Sequence, residues 1–172
     1  MKNMFLLAVV SIMCSATLTQ SQSRKIPSVD LKTMDGKSFN TGKISNNGKP
    51  IIISFWALWC KPCIKELDAI AEEYSNWQKE TGVKLIAISI DDARNASKVP
   101  TDVKMKGWEY EVYIDQNQDF KRAMNVNNAP HTFLIDASGN IVWEHNSYNE
   151  GDEGKLYAAV KKVARGEKIS EK

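Results

Sequence analysis

The segment Pro50-Ile51-Ile52-Ile53-Ser54-Phe55-Trp56, followed closely by Cys60-Lys61-Pro62-Cys63, constrains this chain more than any other feature. The first part is apolar and rich in β-branched residues, without polar alternation. Such a run predicts a strand covered on both faces. Residues 62–81 change period. Ile64, Leu67, Ile70, Ala71, Tyr74 and Trp77 recur at spacings of three and four, which makes one buried stripe on a helix. Gly82 supplies the stop. A buried strand running directly into an amphipathic helix sets Cys60 at the junction and Cys63 one turn further in.

The remaining elements follow from the same rules. Residues 26–49 are polar and turn-rich around Asp35-Gly36, which predicts a β-hairpin at the domain edge. Residues 83–90 predict a second central strand. Residues 92–107 read as a weaker, polar helix interrupted at Pro100. A strand at 109–114 and a short helix at 118–125 come next. Residues 132–136 and 140–144 form a predicted hairpin, with Gly139 where positive φ is needed. Residues 154–165 close the chain as a helix with Leu156, Ala159, Val160 and Val163 inward. Together these predict an α/β domain over residues 24–172, a central mixed sheet flanked by helices.

Before that domain, Lys2, an apolar run at 4–13 broken only by Ser11, and small or polar residues at 15–23 have the order of an export signal. The run is shorter than the roughly 20 apolar residues that span a bilayer. Cleavage after Ala16 is expected. An uncleaved anchor tethering the protein to the membrane, or lipidation at Cys14, are the alternatives, and the bulky Met13 disfavours the second. Export places the domain in the periplasm or cell envelope, where disulfides persist. After cleavage two cysteines remain, and a four-residue loop is a weak staple. The pair therefore reads as chemistry. As half a zinc site it would lack partners, because His131 and His145 fit no common finger spacing. No metal and no cofactor are expected. The net charge of +2, with signs mixed along the chain, gives no concentrated basic face for nucleic acid. Lys161, Lys162 and Lys168 read as a solvated helix face.

The thiolate is the reactive form of cysteine, and a helix N-terminus lowers its pKa. Cys60 is thus the expected nucleophile, and the shielded Cys63 the resolving thiol. Pro62 suits an early helix position because no amide donor is needed there. Lys61 adds a cation beside the attacking sulfur.

Three segments, Phe55 through Cys63, Ala129-Pro130-His131-Thr132-Phe133-Leu134-Ile135-Asp136 with Gly139, and Asp35-Gly36-Lys37 before Gly48-Lys49-Pro50, resemble the thioredoxin superfamily. The resemblance is to its exported branch of TlpA- and ResA-like thiol–disulfide oxidoreductases, and runs over residues 26–165. It implies a thioredoxin fold with an N-terminal β-hairpin extension and an inserted helix and strand after the second central strand. It also implies that Pro130 is a cis-proline facing the cysteines and that the backbone of Ala129 pairs with an extended substrate. Glu66, on the helix face of Cys63, would exchange a proton with it. Cytosolic thioredoxins carry a buried aspartate where this chain has Ser54. His131 stands where threonine or serine is usual; it either tunes the site or is an exposed strand-end residue without a role. Trp56 and Trp59 would pack around the site, and Trp59, beside Cys60, would also shape the docking surface. Implied partners are disulfide-containing client proteins and a membrane thiol donor, and the implied direction is reduction. An oxidase or isomerase using the same residues, and a non-catalytic binding module, are the rival readings. A peroxiredoxin-like peroxidase would want threonine at the position of Ala57.

Overall fold

The computed structural model describes residues 24–169. The signal segment and Cys14 lie outside those residues. In chain order the elements are β1 (Asp30–Thr33), β2 (Ser38–Asn40), β3 (Ile51–Trp56), α1 (Lys61–Thr81), β4 (Lys84–Ser89) and α2 (Val99–Lys106). Then follow β5 (Glu111–Ile114), α3 (Asp119–Ala123), β6 (His131–Ile135), β7 (Ile141–Asn146) and α4 (Asp152–Ala164). The strands form a seven-stranded sheet in the order β2-β1-β5-β4-β3-β6-β7. β3, β4 and β5 are parallel; the β1–β2 hairpin and the β6–β7 hairpin join antiparallel on either side.

β3 lies at the heart of the sheet because every one of its six residues is buried. Its side chains alternate between two apolar layers. Trp56 meets Trp108 edge-on at 5.0 Å on the face that carries α1 and α2. Phe55 meets Phe120 of α3 and Phe133 of β6 on the opposite face. α1 buries Cys63, Glu66, Leu67, Ile70, Tyr74 and Trp77 as one stripe. It ends at Gly82, whose φ of 69° lets its N–H reach the Gln78 carbonyl. α4 packs alongside α1, with the Tyr157 ring stacked on Trp77 at 4.5 Å.

The predicted α/β class and both hairpins are present. Three elements differ. Pro100 does not interrupt a helix spanning 92–107; it occupies the first turn of α2, which begins at Val99 after a 3-10 turn at Ala96–Lys98. Proline needs no donor in a first turn, so it starts this helix instead of breaking one. α4 also begins earlier than predicted, at Asp152, with Gly154 inside its first turn. β7 runs on to Asn146, where it pairs with His131.

Candidate active site

The β3–α1 connection is only Ala57-Leu58-Trp59, and Cys60 is the N-cap residue of α1. The connection is held from both sides. The Cys60 N–H donates to the Ala57 carbonyl at 3.0 Å. The Leu58 N–H donates to Asp91 Oδ2 at 3.0 Å, and the same carboxylate oxygen accepts the Ser89 hydroxyl at 2.9 Å. No side chain caps the α1 N-terminus, its first turn holds no acid, and Pro62 occupies that turn. The free amides and the positive end of the helix dipole are left to act on Cys60.

Cys60 and Cys63 are joined as a disulfide with a Cα–Cα distance of 5.3 Å. Cys60 is nearly buried and Cys63 wholly so. Lys61 is exposed beside them. Trp59 is 66% exposed while Trp56 is fully buried, so the two indoles serve surface and core respectively. An open cleft of about 460 Å³ borders the first turns of α1, lined by Lys61, Pro62, Lys65, Tyr148, Asn149 and Glu150.

Glu66 lies one turn beyond Cys63 and is 4% exposed, among the most buried charges of the molecule. Its Oε1 accepts the Thr132 hydroxyl at 2.8 Å, and its Oε2 lies 3.4 Å from Ser54 Oγ. Burial pushes its pKa up to about 7, against the two hydroxyls that lower it, with the carboxylates of Asp152 and Glu153 raising it further. Ser54 stands on β3 directly beneath Glu66. The carboxylate absent from the strand position is thus supplied from the helix into the same neighbourhood.

The Ala129–Pro130 peptide is cis, and β6 begins immediately after it. His131 is buried, which removes the exposed strand-end alternative. Its neighbour Thr132 faces Glu66, so His131 faces the other side of the sheet, where it stacks on Phe133 at 4.3 Å. Its Nε2 is 3.5 Å from Glu144 Oε2, and neither ring nitrogen has a hydrogen-bond partner. Burial pulls its pKa down, against the pull of Glu144. Among the described residues no three His, Cys, Asp or Glu side chains group so as to hold a metal ion. No described helix is long and apolar enough to cross a membrane.

Two participants were invisible in the sequence. Thr132 is one of many threonines until β6 is registered against β3, which pairs Ser54 with Thr132. Asp91 follows a strand in many chains; only the fold turns it back onto Leu58.

Comparison with known proteins agrees with this geometry. The AhpC/TSA family pattern matches residues 23–144. The thiol-disulfide oxidoreductase ResA of Bacillus thuringiensis (strain Al Hakam) is 33% identical over 140 residues, 81% of this chain and 77% of that protein. The solution structure of an uncharacterised thioredoxin-like protein from Porphyromonas gingivalis superposes with a TM-score of 0.73 at 51% identity, covering 81% of this chain and 92% of that one. A thiol:disulfide interchange protein of the thioredoxin family from Chlorobium tepidum TLS gives a TM-score of 0.67 at 25% identity, over 84% and 99%. A cysteine pair at an uncapped helix start, on a sheet shared with these proteins, accompanies membership that covers most of the chain: it belongs to the AhpC/TSA family, as a thioredoxin-fold thiol–disulfide oxidoreductase.

Proposed function

We propose that this protein reduces disulfides of partner proteins in the cell envelope, with Cys60 as nucleophile, Cys63 as resolving thiol and Glu66 as proton carrier. The observation that carries the reading is the Cys60–Cys63 disulfide at the uncapped start of α1, with a buried carboxyl one turn on. In the reduced protein the Cys60 thiolate attacks one sulfur of a client disulfide. One S–S bond forms as another breaks, and the first client sulfur leaves as a thiolate that takes a proton. Cys63 then gives its proton to ionised Glu66 and attacks Cys60. The client's second sulfur leaves and is protonated in turn. The client gains two electrons and two protons, and the protein ends as the disulfide. A thiol donor at the membrane would restore the dithiol.

Several features support the roles. The free helix terminus favours the Cys60 thiolate, and the exposed Lys61 cation adds to it. Glu66 titrates near neutrality, where a carrier works in both directions. The exposed Trp59 indole and the backbone at Ala129-Pro130 are the proposed docking elements for an extended client segment. Envelope location rests on the signal-like order of residues 1–23.

Reduction of insulin by the dithiol form tests the assignment. Cys60→Ser should fall to the uncatalysed rate, and Cys63→Ser should accumulate a mixed disulfide with the client. Full activity in Cys60→Ser would remove the nucleophile. The reduction potential of the pair decides direction: about −200 mV or lower fits a reductant, and a value near −120 mV an oxidant.

A further inference from the structure

The loop from β7 to α4, residues 147–151, faces the first turns of α1 across the open cleft. It is held in one shape. Ser147 has a φ of 79° and Gly151 one of 97°. A serine keeps such a backbone only where its surroundings enforce it. The Ser147 N–H donates to the Pro130 carbonyl at 3.0 Å, which ties the loop to the entry of β6. At the other end the Asn149 N–H donates to Asp152 Oδ2 at 2.8 Å, and the Tyr148 hydroxyl donates to Glu153 Oε2 at 2.7 Å. The cleft of about 460 Å³ is therefore preformed.

Its charges do not cancel. Lys61 and Lys65 lie on the α1 side and Glu150 on the loop side. Glu150 is already engaged: its Oε1 is 2.8 Å from Lys65 Nζ, and that lysine holds its carboxyl below the usual range. Lys61 is exposed and makes no ion pair among the described residues. Its charge is left over, and it directly follows Cys60 in the chain. A cation thus stands beside the sulfur that a client must reach.

We propose that this cleft is a client subsite next to the redox pair, and that it selects disulfides with an acidic side chain close to the reactive cysteine, received by Lys61. The inference rests on the proposed reduction of client disulfides and adds the chemistry of the preferred clients. A client lysine in the same place would meet Lys61 as a like charge, which disfavours it. The Lys65–Glu150 pair limits the preference. Both side chains are largely in water, so the pair is screened and weak. While it holds, Lys65 is occupied and Glu150 repels a second carboxylate. Removing the charge of Glu150 frees Lys65 as a second cation.

The test uses two synthetic peptide disulfides, identical except that glutamates flank the cysteine in one and lysines in the other. Each is reduced by the dithiol protein, and each rate is divided by the rate with dithiothreitol, an uncharged thiol. That division removes the peptides' own difference in reactivity. At low salt the wild type should favour the acidic peptide about five- to tenfold in kcat/KM, through KM, and less so in about 0.5 M salt. Lys61→Glu should bring the ratio to one or below; a change in Cys60 reactivity acts on both peptides and cancels. Glu150→Gln should raise the ratio roughly two- to threefold. Equal use of the two peptides by the wild type, or a preference that survives Lys61→Glu unchanged, overturns the subsite. Failure of the dithiol protein to reduce either peptide overturns the reductase reading, and this inference with it.

Discussion

A carboxyl buried against apolar side chains is a cost that the folded state carries only when ionised. Glu66 illustrates it: its proton affinity is raised by burial, so the native state binds more protons than the unfolded chain between the ordinary glutamate value of 4.5 and about 7. Stability should therefore fall as pH rises through that window and level off above it, by at most about 3 kcal/mol. His131 acts in the other direction, because burial lowers its affinity and stability gains as pH rises through its titration. Urea unfolding of the oxidised protein from pH 4.5 to 8 compared with Glu66→Gln separates the two. The variant should lose the falling component and keep the rising one; parallel curves would show that Glu66 does not titrate in this window. Asp91 is a second buried acid, and it works through geometry, since one of its oxygens ties the backbone of Leu58 to β4 and so steadies the loop that presents Cys60.

α1 carries both the cysteine pair and much of the packing, at opposite ends. Its first turn is kept free of caps and acids, and its last turns are anchored. Trp77 is 3% exposed and stacks on Tyr157, tying α1 to α4. Tyr74 reaches back to the sheet, its hydroxyl accepting the Leu85 N–H at 2.9 Å. Trp77→Ala should destabilise the protein by about 3–5 kcal/mol, measured by denaturant unfolding, through lost burial and an unfilled cavity. Insulin reduction under conditions where the variant is folded should change little, because the lesion lies nearly five helical turns from Cys60. α2 shows the reverse economy of sequence: Pro100, read as an interruption, is what allows that helix to start where the 3-10 turn ends.

In the whole molecule the seven-stranded sheet divides the interior into two apolar layers that share β3. The redox pair closes a loop of only four residues, so it constrains the unfolded chain weakly. Reduction should lower stability by no more than about 2 kcal/mol, and unfolding should remain a single transition in both states. Denaturant curves with and without a thiol reductant would reveal a larger drop or a split transition.

The local periods were enough to give the α/β class, the central strands, the amphipathic helices and the cysteine pair at a helix start, because strand and helix each leave their own spacing of apolar residues. Pro100 was misread because proline permits a helix to begin and forbids it to continue, and the local sequence does not say which. The burial of His131 and the opposite facing of Thr132 depended on the register of β6 against β3. The meeting of Ser54, Glu66 and Thr132 depended on a strand, a helix and a second strand, distant in the chain, coming together at one point. Cys60 could be named from its neighbours in sequence. The raised proton affinity of Glu66 was decided by tertiary packing alone, because only the fold removes its carboxyl from water and brings the hydroxyls of Ser54 and Thr132 to it.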